Sequence, residues 1–281
     1  MQWRGRRGSR NIEDRRGQPA RGGAAVGGLG VLAVVLIGYV LGIDVTPLLQ
    51  DVSSPQSSQP RELSAEDQAA AAFVSVTLAD TEEVWAELFQ SQLGRAYRPA
   101  TLVLFSGATQ SPCGGANGAT GPFYCPSDRK AYLDTDFFVT LERRLGAQGD
   151  FAAAYVVAHE IAHHVQNELG ILGRVNQLRA SASPQDSNAL SVRVELQADC
   201  LSGVWARHAS QMFGTIDRGD IEEAVTAARQ IGDDTLQRAA GQRPMPHTFT
   251  HGSAEQRSRW FLTGLGSGQI GDCDTFSADN L

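Results

Sequence analysis

Five consecutive residues, His159-Glu160-Ile161-Ala162-His163, bring two imidazoles and a carboxylate into little more than one helical turn. On a helix, positions i and i+4 share a face, so His159 and His163 can present ring nitrogens to a single metal ion. Glu160 lies about 100° around the axis, beside that ion but off the ligand pair, where it can take a proton from a metal-activated water. The flanks are apolar and helix-forming, with "AAAYVVA" before the motif and Val165 after it. Histidines that served only as core side chains would leave Glu160 buried with nothing to offset the cost.

A catalytic zinc takes three protein ligands and keeps a fourth position for water, so a third ligand has to come from elsewhere. The stretch "SVRVELQADCLSGVWA", residues 191–206, offers Glu195 and Asp199, again at i and i+4 of a helical pattern. Glu195 is the expected third ligand. Asp199 is the expected carboxylate behind a ligand histidine, accepting its second N–H and fixing its tautomer. The apolar flanks Val192, Val194, Leu196, Leu201 and Val204 leave little solvated face for two idle acids. His164, His208, His247 and His251 compete for the ligand position. A tetrahedral oxyanion also wants a donor opposite the metal. His251, in "FTHGS" ahead of a helix start, is the candidate unless it only serves helix entry, and Tyr155, Tyr124 and Arg193 are further candidates. Two imidazoles and a carboxylate suit one Zn2+ ion, with cobalt or manganese as substitutes in vitro.

The elements that must position these groups can be read from the same chain. Ser64 with Asp67 forms a capping-box pattern that opens a helix, and Val84, Trp85, Leu88 and Phe89 mark one face of a second helix around 81–93. "TLVLF" at 101–105 reads as a buried strand. "SPCGGANGATGP" reads as a Gly-rich loop, and "FYCPSDRKAYLD", 123–134, as an extended segment that could lie beside the cleft and pair with a substrate backbone. "FFVTLERRLG" reads as a short helix closed by Gly146. Further helical patterns cover 151–169, about 191–208, 220–231 and 253–265, the last with a Ser253/Gln256 capping box. Few strands and a helical C-terminal half make the expected fold α+β, mostly helical with a small sheet.

The chain has 281 residues and a net charge of -7, which argues against a general nucleic-acid-binding surface. Arg4, Arg6, Arg7, Arg10, Arg15, Arg16 and Arg21 precede an uncharged run, residues 22–43. At about 1.5 Å per residue that run is long enough for a single transmembrane helix. The expected organisation is therefore a basic cytoplasmic tail (1–21), a span (22–43), a flexible stalk rich in Ser, Pro and Gln (44–63) and an extracytoplasmic domain (64–281), in a single-pass membrane protein. Cys113, Cys125, Cys200 and Cys273 all follow the span, as disulfides would require. Four cysteines allow three pairings. Local loop closure favours Cys113–Cys125, leaving Cys200–Cys273, and a four-thiolate zinc site is disfavoured because no C-x-x-C pair exists.

The blocks "CGGANGATGPFYCPSDRKAYLDTDFF", "GDFAAAYVVAHEIAHHVQNELGI", "SVRVELQADCLSGVWA" and "FTHGSAEQRSRWFLTGLGSG", with "CDTF" near the end, stand in order here. Over residues 85–276 the chain resembles the bacterial neutral zinc metallopeptidase family of membrane-anchored proteins. H-E-x-x-H followed by E-x-x-x-D is also similar to the wider gluzincin group. The resemblance implies a zincin-like domain, zinc at His159, His163 and Glu195, an aspartate supporting a ligand histidine, and a peptide or protein substrate. One departure is Ala162, where the family pattern leads one to expect Gly, and Ala is small enough for the site to survive. The alternative is an inactive, zinc-stabilised envelope binding module, in which Glu160 would be superfluous.

Overall fold

The computed structural model describes residues 1–17, 63–117, 121–143 and 149–281. In chain order the elements are β1 (Ile12–Asp14), α1 (Ala65–Leu93), β2 (Thr101–Phe105), β3 (Ala108–Ser111), β4 (Gly114–Asn117), β5 (Phe123–Cys125), β6 (Lys130–Asp134) and α2 (Asp136–Arg143). They continue with α3 (Asp150–Glu168), α4 (Ile171–Arg179), α5 (Pro184–Phe213), α6 (Arg218–Gln230), α7 (Asp233–Ala239) and α8 (Ala254–Ser267). The result is a mostly helical domain with a small sheet.

The sheet has the order β1-β2-β6-β5. β1, β2 and β6 run parallel, with Ile12 opposite Leu102 and Thr101 opposite Lys130, and β5 closes the edge antiparallel to β6. The extended segment 123–134 is thus a β5–β6 hairpin, and the Gly-rich stretch supplies β4 of a separate β3–β4 hairpin that begins ahead of it.

Helix α1 is continuous where the sequence reads as two helices. Thr77 and Thr81, which look like breakers, bond their hydroxyls to the helix carbonyls of Phe73 and Leu78. Helix α5 begins earlier than expected, at a Ser183 cap followed by Pro184 and Asp186. That is a legible start signal, since Pro suits the first helical turn and Ser the cap.

Helix α3 lies in the middle of the molecule, against α1, α5, α6 and the β5 and β6 strands. The core around it combines Trp85 and Phe89 of α1, Leu102 and Leu104 of β2, Phe151 and Tyr155 of α3, Trp205 of α5 and Phe261 of α8. The close contact of α5 with α8 depends on two glycines. A Cβ at Gly264 would sit 1.8 Å from the Cys200 carbonyl oxygen, and one at Gly203 2.0 Å from that of Phe261. Both expected disulfides are formed, Cys113–Cys125 and Cys200–Cys273. The second ties α5 to the C-terminal segment.

The N-terminal arrangement has to be corrected. Residues 22–43, the expected span, and the stalk up to residue 62 lie outside the described residues. Among the described residues no helix is long and apolar enough to cross a membrane, because the longest helices, α1 and α5, carry charged residues along their length. Residues 1–17, expected across a membrane from the domain, are part of its folded body. β1 pairs in register with β2, the Met1 α-amino group meets Asp220 at 2.5 Å, and Arg6 forms a two-pronged ion pair with Asp80 at 2.5 and 2.7 Å. Glu13 accepts from both Arg15 (2.8 Å) and Lys130 (2.6 Å). A single span would hold β1 and β2 on opposite sides of the bilayer, so the single-pass placement is withdrawn.

Asp80 is buried, and burial raises its carboxyl to about 6 even though Arg6 pulls it down. Replacing Arg6 with Ala is expected to cost about 1–3 kcal/mol near neutral pH, the penalty for an unpartnered buried acceptor. The loss should shrink below about pH 6, where Asp80 is protonated with or without Arg6. Urea unfolding across that range measures it, and a pH-independent loss would contradict the assignment.

Candidate metal centre

Helix α3 carries His159 and His163 on the face that meets α5, with Glu160 beside them, and α5 brings Glu195 to the two histidines. Glu195 Oε2 lies 3.0 Å from His159 Nε2, and its Oε1 lies 3.5 Å from His163 Nε2. Among the described residues, this is the only group of three or more His, Cys, Asp or Glu side chains placed to hold a metal, with ligand atoms all within 4.8 Å. Zinc bonds of about 2.0–2.1 Å at tetrahedral angles put neighbouring ligand atoms about 3.3 Å apart, which the two observed separations bracket. The donor set therefore fits zinc. The charge balance points the same way. A neutral imidazole with its proton on Nδ1 turns a lone pair toward a carboxylate, and that contact is repulsive unless a cation or a proton lies between them.

The proton on His159 Nδ1 is held by Asp199, whose Oδ1 accepts it at 2.9 Å. Asp199 has no exposure to solvent. Burial pushes its pKa up, but Arg257 and His159 outweigh this and hold the carboxyl below its ordinary value. Arg257 reaches it from α8 with Nε donating to Oδ2 at 2.8 Å and Nη2 to Oδ1 at 3.0 Å, and the Tyr155 hydroxyl also donates to Oδ1. On the other histidine, His163 Nδ1 is 2.8 Å from Gln166 Oε1.

Glu160 is buried beside the pair, and its Oε2 has no hydrogen-bond partner. Burial raises its pKa against the pull of His163 and His159. A carboxylate that is unsatisfied and more basic than usual, at the edge of a cavity, is suited to accept a proton. The cavity has a volume of ≈ 490 Å³ and is lined by His159, Glu160, His163 and Glu195, with walls that include Phe123, Tyr124, Leu172 and Leu236.

His251 also lines this cavity. Its loop is gathered by Asp233 Oδ2, which accepts the backbone N–H groups of Thr250, His251 and Gly252 at 2.7, 2.7 and 3.0 Å. Its Nδ1 lies 3.3 Å from Asp233 Oδ1, and that contact raises the imidazole pKa above the ordinary value, with burial opposing.

The other sequence candidates lie elsewhere or face other partners. His164 bonds Tyr124 Oη (3.0 Å) and the Arg98 carbonyl (2.7 Å), and His208 bonds the Gly268 carbonyl. His247 is exposed. Tyr155 is committed to Asp199, and Arg193 to the carbonyls of Thr275 and Ala278. Arg257 and Gln166 were missed as site residues. Arg257 had a readable signal, since it stands four residues before Phe261 and so on the apolar face of its helix. Gln166, three residues after His163, had only its spacing.

Two outcomes follow from this charge arrangement. Arg257→Met leaves Asp199 buried without its main counter-charge, so unfolding free energy should fall by about 3–5 kcal/mol; a loss under about 1 kcal/mol in a denaturant titration would contradict the pairing. In the metal-free protein His159 is raised to about 10 and His163 is also raised, Asp199 and Glu195 overcoming burial. The His159 imidazolium then carries a proton that a metal must displace, so zinc affinity should strengthen with pH, about tenfold per pH unit for that proton. Zinc titrations between about pH 6 and 8 read the slope, and a flat profile would refute it.

The family described as "Putative neutral zinc metallopeptidase" matches the chain over residues 1–276. The protein YpfJ of Escherichia coli (strain K12) is 45% identical over 285 residues, which cover 98% of this chain and 99% of that protein. The protein Rv2575 of Mycobacterium tuberculosis (strain ATCC 25618 / H37Rv) is 46% identical over 195 residues, 66% of this chain and 65% of that protein. No solved structure matches the chain. The family match runs from the docked N-terminal strand past Cys273, with the two-histidine, one-glutamate cluster at its centre: the chain belongs to the neutral zinc metallopeptidase family.

Proposed function

We propose that this protein hydrolyses peptide bonds with one zinc ion held by His159 Nε2, His163 Nε2 and the Glu195 carboxylate. When bound, the ion supplies Lewis acidity, polarising the scissile carbonyl and lowering the pKa of a water to about 7. Glu160 takes the proton from that water as its oxygen bonds to the carbonyl carbon, then passes it to the amide nitrogen as the C–N bond breaks. The products are a carboxylate and an amine. His251 donates to the developing oxyanion through Nε2, since Nδ1 faces Asp233. Asp199 keeps the His159 proton on Nδ1. The apolar walls take substrate side chains and limit water.

The observation that carries the reading is Glu160, a buried carboxylate with an unsatisfied oxygen beside the three ligand atoms. A purely structural zinc site has no use for it, and structural sites take four protein ligands, whereas the cluster offers three.

Glu160→Gln in the zinc-loaded protein should keep its metal and lose about 10²–10⁴-fold in kcat, measured on a quenched-peptide library. Cleavage at the wild-type rate, or wild-type protein with no chelator-sensitive cleavage, would refute the proposal.

A further inference from the structure

The tautomer of His159 is set by a carboxylate, and that of His163 by something different. The carbonyl of Val194 can only accept, and the Gln166 side-chain nitrogen donates to it at 2.8 Å. This fixes which way the amide faces, so Gln166 Oε1 is the atom 2.8 Å from His163 Nδ1. An amide oxygen can only accept, which places a His163 proton on Nδ1 and makes Nε2, the nitrogen facing Glu195, the one free to bind a metal.

The Gln166 nitrogen also donates to Gln197 Oε1 at 3.0 Å, and Gln197 Nε2 donates to the Cys273 carbonyl at 2.9 Å. Cys273 is bonded to Cys200 of α5. Gln166 is fully buried and Gln197 nearly so. Every donor and acceptor in the run from His163 to Cys273 is thus oriented in one direction, and its far end is covalently fixed.

We propose that Gln166 is a positioning residue for the metal centre, holding the His163 ring and tautomer, and that Gln197 anchors it to the disulfide-bonded C-terminal segment. The inference rests on the reading of His163 as a metal ligand. An amide suits the place because Glu160, Glu195 and Asp199 already crowd the site with carboxylates, and a fourth would raise the repulsion among them.

The test compares zinc dissociation constants, by competition with a chromophoric chelator, for full-length wild type, Gln166→Leu, Gln166→Glu and Gln197→Leu. The Tm of each metal-free protein is recorded alongside. Gln166→Leu should weaken zinc about 10–100-fold, the usual size for an outer-sphere partner. Gln166→Glu keeps an acceptor for His163 but loses the donor to Val194 and Gln197, so it should lose about three- to tenfold, as should Gln197→Leu.

Gln166→Leu within about twofold of wild type would overturn the proposal, and so would a Glu variant as weak as the Leu one with Tm unchanged. An unaltered constant in Gln197→Leu would overturn the link to the disulfide. If the Leu variant does not fold, the Glu variant decides alone: a loss within about tenfold supports the proposal and a larger one overturns it. Wild type that binds no zinc would sink the metal-centre reading and this inference together. Zinc binding without peptide cleavage would sink only the peptidase reading.

Discussion

The charge on Asp199 is the constraint around which the candidate metal site is arranged. A carboxylate out of contact with water costs several kcal/mol unless its lone pairs are taken up by good donors. Here three donors converge on it: the Arg257 guanidinium from α8, and Tyr155 and His159 from α3. The carboxylate thereby joins three helices, and the arrangement works only if α8 approaches α5 closely. Gly203 and Gly264 permit that approach, and the disulfide at Cys200, next in sequence to Asp199, holds the C-terminal segment to the same stretch of α5. The chemical consequence is one atom further on. With its Nδ1 proton committed to Asp199, His159 turns Nε2 toward Glu195, so the core packing specifies which ring nitrogen is offered to the site.

What could be read from the sequence was whatever is geometry at short range. His159 and His163, or Glu195 and Asp199, share a helix face because of the helical repeat itself, whatever else the chain does. The Cys113–Cys125 pairing was legible for a similar reason, since a short loop closes easily. The strand at 101–105 and the capped helix starts at Ser64 and Ser253 were equally local. What escaped notice was set by tertiary structure. An arginine on an amphipathic helix ordinarily reads as surface, and Arg257 acquires its role only because Asp199 is buried beneath it. A glutamine carries no charge to draw attention, and Gln166 matters because Val194 of another helix fixes its orientation. His251 lines the cavity because Asp233, eighteen residues earlier, collects three successive backbone N–H groups and so shapes the loop.

The N-terminal segment shows how a compositional rule can mislead. Arginines ahead of an uncharged run are the signature of a membrane orientation signal, and the rule counts charges without asking what they face. In the folded body Arg6, Arg7, Arg15 and Arg16 each have an acidic partner, in Asp80, Glu83, Glu13 and Asp14. Backbone pairing of Ile12–Asp14 with the domain sheet adds a strand to the edge of β2. These residues therefore belong to the architecture that supports the site, in keeping with a family match that begins at residue 1.

The most direct test of the central claim, that α3 and α5 jointly make an open three-ligand zinc site, is anomalous diffraction at the zinc edge from crystals of the zinc-loaded protein. The account predicts one anomalous peak in contact with His159 Nε2, His163 Nε2 and the Glu195 carboxylate, its fourth position filled by solvent near Glu160. A peak with four protein ligands, or one elsewhere with Glu195 turned away from the two imidazoles, would contradict it.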